Sequence, residues 1–538
     1  VRQLTLVIRN GRILDGTGSP PVHADVGIAN DRIVAVAPSP LRAEPEAEVY
    51  DAEGRIVSPG FIDAHAHDDL FLLFRPEAHE KVRQGITTVI CGNCGISPAP
   101  CDPHCRPSLE QLLLAAGGNE LAPAERTFRT FGAYLAAMDK ADPGIHFAGL
   151  VGHGAVRFTA MGTQDRPPTE AELREAGRLL DQSLTEGAFG LSTGLIYPPG
   201  AYAGTGELIR LARHLVPFNA VYATHMRSEG SGVVEALDEA IRIGRESGAK
   251  VHVSHHKTSD PSNRGRSRDT LARIEAAREE GLRVTADVYP YRAGSTYLAA
   301  LLPSWVLDEG PEEMGRRLSV PEQRERLRRE MESDPGDRWA SLIKGREDYR
   351  ITLSRSTTRP EFTGLSLAEI ACREKHSPFD VVLDLVAAEG LSATVIVHSM
   401  AEEDVRRIMT RPYVMFGTDG MPCVGPGMPH PRWTGAFPRI LGHYVREEGL
   451  LSLPEAVTKM TSLPARTFGL PRKGRIAPGY DADLVVFDPE RIREGSSYRN
   501  PLRPPEGIDL VLVGGRVAAR AGEVTGAGSG RVLRSGRA

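Results

Sequence analysis

The sequence predicts an α/β fold: a (β/α)8 barrel of the TIM type, joined to a small β-sandwich domain formed by both termini. Two observations lead there. Through the middle of the chain, short apolar runs alternate with stretches that are apolar at helical spacing. This continues for roughly 400 residues and is the pattern of a parallel sheet with crossover helices. Both ends instead show short strands of alternating polarity, broken by turn signals. At this length a closed eight-stranded barrel is the leading arrangement. A doubly wound open sheet comes second, since no G-x-G-x-x-G follows the first strand.

At the N-terminus, LTLVIRNGRILDG and ADVGIANDRIVAVA predict hairpins, with NG and ND as the turns. DADLVVFDP and GIDLVLVGGRVAARAGE repeat that character at the C-terminus. Residues 1–60 and 476–538 are therefore expected to build one small β domain, with two separate β extensions as the alternative. Residues 61–475 are expected to form the barrel. Its candidate strands are GFIDAHAHD, GITTVICGN, HFAGLVGHG, GAFGLSTGLIY, AVYATHMRS, KVHVSHHKT, LRVTADVYPY, ATVIVHSM and YVMFGTDG. That is one strand too many, and the surplus is either VTADVYPY or TVIVHSM. TEAELREAGRLLDQSLTEG and GVVEALDEAIRIGRESG read as helices between strands. The charged segment DEGPEEMGRRLSVPEQRERLRREMESDPGDRW predicts a helical insertion near 303–350, either a lid over the barrel mouth or a solvated excursion. The last residues, GAGSGRVLRSGRA, read as a loose tail.

Composition narrows the function classes. The 538 residues carry 65 Lys and Arg against 70 Asp and Glu, a net charge of −5. That balance offers no electrostatic footprint for nucleic acid or an anionic membrane. No stretch approaches the roughly 18 apolar residues that span a bilayer. The opening VRQLTLVIRNGRILDG is a strand pattern and not a signal sequence, so a cytoplasmic location is the default expectation, although a removed leader would leave no trace here. Six cysteines in so long a chain are not a disulfide framework.

Polar groups recur where the apolar runs end, which in a parallel barrel is where active sites lie. In GFIDAHAHDD, His65 and His67 alternate with Ala and point to one side of a strand. His225 closes AVYAT, while His255, His256 and Lys257 close VHVS, and Asp419 follows MFGT. His252 lies within its strand as a packed or surface residue. His255 and His256 point to opposite sides, so at most one of them faces a common centre. Histidines and a late aspartate at successive strand ends predict a shared metal site. Four cysteines, Cys91, Cys94, Cys101 and Cys105, crowd GITTVICGNCGISPAPCDPHC. They are open to two readings: a separate zinc knuckle, or a strand ending in one working thiolate.

The PGFIDAHAHDD start, the single histidines ending two later strands, the late strand-end Asp419 and the PGYDADLVVFDP re-entry together resemble the amidohydrolase superfamily. Many of its members bridge two metals with a carboxylated lysine or a glutamate. At the end of GAFGLSTG this chain has Ser192 and Thr193 there, and it offers GNCGIS instead. With GLIYPPG, SHHKTS, YPYRAGST and PHPRWTGAFPRILG, that replacement is similar to the N-acyl-D-amino-acid deacylases (D-aminoacylases).

The resemblance implies zinc held by Cys94, His225 and His255, with a second, weaker metal at His65 and His67 bridged through Cys94. Cys91 then becomes a core residue. It implies Asp419 as the base that takes a proton from water and returns it to the departing amine. Lys257, Arg432, Tyr289 and Ser295 match positions that clamp a substrate carboxylate, and Tyr197 matches one near the scissile amide. The loop from Asp419 to Arg432 looks slightly long for that reach. His153 in VGHGAVR is either an oxyanion donor or a packed residue. The run YLAALLPSW after AGST carries no cation, which favours hydrophobic D side chains over acidic ones. The expected partner is thus a small N-acyl-D-amino acid. The rivals are a dipeptidase for X–D-amino acid dipeptides, a hydantoinase-like cyclic-amide hydrolase lacking the usual lysine, and a non-catalytic scaffold.

Overall fold

The computed structural model describes residues 3–38, 40–43, 45–104, 106–115, 126–307, 311–333, 351–423, 425–526 and 528–536. The chain begins with five strands: β1 (Leu6–Ile13), β2 (Val22–Ala29), β3 (Arg32–Ala37), β4 (Glu48–Asp51) and β5 (Ile56–Pro59). β1 to β3 form an antiparallel meander, while β4 and β5 run parallel to β1.

The barrel follows. Its strands are β6 (Phe61–Asp63), β7 (Ile86–Cys91), β8 (His146–Gly149) continued by β9 (Val151–Gly152), β10 (Gly190–Gly194), β11 (Val221–His225), β12 (Lys250–Val253) and β13 (Val284–Val288). An excursion then adds β14 (Ala293–Tyr297), β15 (Ile351–Arg355) and β16 (Thr394–His398), and the barrel resumes at β17 (Val414–Phe416). Neighbouring barrel strands pair in parallel, and β13 pairs directly with β17. The ring closes where the Ala64 N–H donates to Phe416 O at 3.2 Å and Ala66 bridges Gly420. Counting β8 and β9 as one stave gives eight staves.

TVIVHSM is therefore the surplus run. It pairs antiparallel with β14 and β15 in a separate three-stranded sheet. The excursion runs from β14 to β16 and is wider than the helical insertion expected near 303–350. Its helices, among them Pro311–Ser319, Pro321–Ser333 and Pro378–Glu389, share an apolar core with this sheet. The parts of the expected insertion at 308–310 and 334–350 lie outside the described residues.

Side chains along the barrel strands divide with period two. Ile62, Ile90, Ala148, Val221, Ala223 and Met415 point inward and pack on Phe468 and Leu470, filling the barrel interior. Phe61, Val89, Cys91, Phe147, Tyr222, Val414 and Phe416 point outward beneath the helices. Glu170–Glu186 is one of these helices. A reciprocal capping box starts it, in which the Thr169 side chain accepts from the Glu172 N–H and Glu172 accepts from the Thr169 N–H at 2.7 Å. Leu173, Ala176, Leu180 and Leu184 recur at helical spacing on its buried face, and Gly187 at φ +120° ends it. Thr169→Ala is expected to lower stability by about 1 kcal/mol. The check is the midpoint of urea unfolding, and an unmoved midpoint would mean the cap contributes nothing.

The C-terminal segment supplies β18 (Leu484–Phe487), β19 (Ile508–Val513), β20 (Arg516–Arg520) and β21 (Glu523–Val524). β18 pairs antiparallel with β5, so both termini join in one nine-stranded sheet. Leu6, Ile8, Val26 and Ile33 from the first half meet Leu484, Val486, Leu510 and Leu512 from the second in a shared core. Val485, Phe487, Val511 and Val513, on the opposite face, pack in the core beneath the barrel helices. The last residues are not a loose tail. Leu533 N–H donates to Phe147 O at 2.7 Å, Phe147 N–H donates to Arg531 O at 3.0 Å, and Val532 is buried. Backbone pairing with β8 docks this segment on the barrel. Among the described residues no helix is long and apolar enough to cross a membrane.

Candidate metal centre and substrate cavity

The carboxyl ends of the barrel strands open into one cavity of about 210 Å³. His65 and His67 follow β6, Cys94 follows β7, His225 is the last residue of β11, His255 follows β12 and Asp419 follows β17. All six are buried. Cys94 Sγ lies 3.4 Å from His65 Nε2 and 3.3 Å from His255 Nε2. Asp419 Oδ1 lies 3.2 Å from His67 Nε2 and 3.5 Å from His65 Nε2. Ligand atoms of His65, Cys94 and His255, of His65, His67 and Asp419, and of His225, Glu229 and His255 each fall within 4.8 Å of one another.

Backbone geometry brings these groups to the centre. Cys94 (φ +54°), His255 (φ +37°) and Asp419 (φ +47°) are all left-handed, a conformation that costs a non-glycine residue about 1–3 kcal/mol and persists only where the surroundings impose it. The Cys94 turn lies directly on β10: a Cβ on Gly194 would stand 2.1 Å from Cys94 O. Ser192, at the position where many amidohydrolases carry a bridging residue, supports this turn. Its hydroxyl donates to Gly92 O and accepts from the Gly95 N–H. Thr193 donates to the Thr224 hydroxyl at 2.8 Å. β10 thus buttresses the Cys94 loop.

The donor set fits a zinc ion. Burial alone would raise the Cys94 thiol, but His255 and His65 beside it outweigh that and hold it well below the usual thiol range. Both ring nitrogens of His225 are buried without a hydrogen-bond partner, an expense that a metal bond would relieve. A thiolate with several imidazoles around it is a zinc-type donor set. Cys91 and Cys101 do not join it. Cys91 points outward into the core beneath the helices, and Cys101 packs in the second core, under the excursion. Cys105 lies outside the described residues.

Two further carboxylates meet the histidines, Asp287 from behind His65 and Glu229 from the cavity lining. Asp287 Oδ2 lies 3.4 Å from His65 Nδ1 and 2.9 Å from His252 Nε2, so His65 turns Nε2 to the centre. Glu229 Oε1 stands 3.1 Å from His255 Nδ1 and 2.5 Å from Lys257 Nζ. Each carried a signal: Glu229 follows His225 by four residues, and Asp287 is a lone acid inside an apolar strand. His256 turns away and meets the Thr270 hydroxyl at 2.9 Å. His153 does not line the cavity. Its Nε2 pairs with Glu207 at 3.0 Å, the packed role of the two considered.

Lys257, Tyr197, Tyr289, Ser295 and Arg432 all line the cavity. Arg432 reaches it because His430 anchors the loop, accepting from the Arg432 N–H at 3.0 Å and donating to Ala293 O at 2.9 Å. The Arg432 guanidinium lies 4.5 Å from the centre of the Tyr289 ring, with Nη1 2.7 Å from Asp419 Oδ2. Burial pushes the Tyr289 phenol up to about 12, and its hydroxyl has no partner. The Ser295 hydroxyl donates to Val395 O at 3.0 Å, and Tyr197 stacks edge-on against His225. Ile96, Ala300, Leu301, Leu302, Pro303 and Val397 form an apolar wall.

The chain matches the amidohydrolase family over residues 48–302 and 344–519. It is 40% identical to an N-acyl-D-glutamate deacylase of Alcaligenes xylosoxydans xylosoxydans, across 95% of this chain and 93% of that protein. It is 38% identical to a D-aminoacylase of the same organism, across 98% and 97%. The crystal structure of an N-acyl-D-glutamate deacylase from Bordetella bronchiseptica, complexed with zinc and a phosphonate mimic of the tetrahedral intermediate, superimposes with a TM-score of 0.83. That structure is 38% identical and is matched across 99% of this chain and 100% of its own. With matches of this extent across both the barrel and the terminal sheet, the chain belongs to the amidohydrolase family.

Proposed function

We propose that the protein hydrolyses the amide bond of N-acyl-D-amino acids to a carboxylate and a free D-amino acid. The observation that carries this reading is one cavity in which a Cys94–histidine centre and Asp419 face Lys257, Arg432 and the unpartnered Tyr289 hydroxyl. Cys94, His225 and His255 would hold the principal zinc, and His65 and His67, with Cys94, would hold a second and weaker ion. When bound, the metal acidifies water and polarises the amide carbonyl.

The remaining work falls to side chains. Arg432 and Lys257 grip the substrate carboxylate, and the Tyr289 hydroxyl donates to it. Tyr197 packs against the amide. Asp419 is ionised at neutral pH: burial alone would raise its carboxyl, but Arg432 and His255 outweigh that and hold it well below the usual range. It takes the proton from the attacking water and passes it to the departing amine nitrogen.

The apolar wall favours D-leucine, D-phenylalanine or D-methionine derivatives. The cations lining the cavity among the described residues are Arg227, Lys257 and Arg432. Arg227 is held on all three nitrogens by Glu239 and by the carbonyls of Ala201 and Ala203, whereas Arg432 Nε has no hydrogen-bond partner. A second substrate carboxylate would therefore be desolvated without a partner, so N-acetyl-D-leucine should outpace N-acetyl-D-glutamate by at least about tenfold. The test measures amine release by zinc-loaded protein from N-acetyl-D-leucine, N-acetyl-L-leucine and N-acetyl-D-glutamate. Release from the D-leucine compound with none from its L form is the expected result. Faster release from the glutamate compound overturns the side-chain preference. Turnover confined to dipeptides ending in a D residue, or to hydantoins, overturns the substrate class.

A further inference from the structure

Behind the centre, and outside the cavity lining, lies a buried cluster that the mechanism above does not use: Asp63, Asp68, Lys81 and Thr418, none more than 1% exposed. Lys81 Nζ donates to Asp63 Oδ2 at 2.8 Å and to the Thr418 hydroxyl at 2.9 Å, and Asp68 Oδ2 lies 3.0 Å away as an ion pair. The Thr418 hydroxyl donates to Asp63 Oδ2 at 2.6 Å and accepts from the Gly420 N–H at 3.1 Å. One donor and two acceptor sites are all a hydroxyl has, and all three are used. The other Asp63 oxygen accepts from the Thr418 N–H at 2.8 Å and the His65 N–H at 3.2 Å.

These bonds surround Asp419. They hold the residue before it through both N–H and hydroxyl, and the residue after it through N–H. They join both to the backbone of His65, whose carbonyl accepts the Asp419 N–H at 2.8 Å. Asp419 itself is left-handed, so its backbone would relax if released. A fully buried lysine is a costly way to stabilise a fold, because well-packed apolar residues do as well or better. Its contacts here go to the one turn whose geometry sets the proton-transferring carboxylate.

We infer that Lys81, Asp63 and Thr418 are positioning residues that brace the Thr418–Asp419–Gly420 turn against the His65 strand, holding Asp419 in its working orientation. The inference rests on the proposed role of Asp419. The brace itself is legible without it, as restraint of that turn.

Thr418→Val keeps the shape and removes all three hydroxyl bonds. With the zinc-loaded full chain and N-acetyl-D-leucine, kcat should fall about 100-fold, the scale of a displacement near 1 Å, while KM and bound zinc stay at parental values. Thr418→Ser, which restores the hydroxyl, should recover kcat to within about threefold of the parent. Amide hydrogen exchange in the peptide spanning 418–420 should quicken about tenfold in the valine variant alone. A parental kcat in folded Thr418→Val, or a loss explained by missing zinc, overturns the brace. If Thr418→Val does not fold, Asp63→Asn carries the same expectations, and parental turnover and exchange there overturn it equally. A parent inert on every N-acyl-D-amino acid sinks the proposed function. The exchange measurement then still decides the brace, since unchanged protection in the valine variant refutes it.

Discussion

Cys94→Ala is expected to abolish tight zinc binding and to cut kcat/KM by at least about 10³-fold, a loss of roughly 4 kcal/mol in transition-state stabilisation. Among the described residues Cys94 supplies the one cysteine sulfur at the centre, within 3.4 Å of His65 Nε2 and 3.3 Å of His255 Nε2. Without it the principal site keeps only His225 and His255, one short of the three protein ligands that a catalytic zinc takes. The loss should therefore appear first in metal content: about one equivalent of zinc in the parent after dialysis, and little in the variant. Cys101→Ala is the control, since Cys101 packs in the second core and should leave zinc and turnover unchanged. Cys94→Asp should recover part of both by restoring an anionic ligand. Parental zinc in Cys94→Ala would remove Cys94 from the centre and with it the proposed ligand set.

Asp419→Asn should lower kcat by about 10²–10⁴-fold, the range typical of losing a general acid–base group. The amide keeps the size of the carboxylate, so Arg432, which stands 2.7 Å from Oδ2, still has an oxygen to face. What the amide lacks is the capacity to take and return a proton. KM for N-acetyl-D-leucine and the zinc bound through Cys94, His225 and His255 should be retained. The weaker site should lose affinity, because Asp419 Oδ1 lies 3.2 Å from His67 Nε2. Steady-state kinetics beside metal analysis separates these effects. Turnover within about threefold of the parent would exclude Asp419 as the proton carrier, and a loss proportional to missing principal zinc would reassign it to metal binding.

Much of the molecule was legible as local pattern. The alternation of His65 and His67 with alanine, the placement of His225 and Asp419 after apolar runs, and the period-two strands at both ends are short-range signals. A strand's twofold repeat and a helix's 3.6-residue repeat leave their mark on sequence directly. The helices Glu170–Glu186 and Val233–Ser247 were visible for the same reason.

Local pattern could not say which of nine apolar runs would leave the ring. TVIVHSM has the composition of a buried strand, and only its antiparallel pairing with β14 and β15, and the direct contact of β13 with β17, separates it from the barrel. The C-terminal segment misled for a related reason: its glycines and arginines describe a solvated tail, yet backbone hydrogen bonds to Phe147, which are blind to side-chain polarity, hold it in place.

By itself, then, the sequence determined the barrel class, the β character of both ends, and the histidines and aspartate at the strand ends, because each is written in spacing along a few consecutive residues; Cys94 stood out only through the resemblance to the D-aminoacylases. Only the tertiary structure decided what stands behind them. Glu229, Asp287 and Lys81 acquire their meaning from partners brought close by the closing of the barrel. Lys81 meets Thr418 across 337 positions of chain and His65 meets Asp287 across 222. A buried charge is stable only where an opposite charge or a hydrogen-bonding group arrives to meet it, and that arrival is a property of packing in three dimensions.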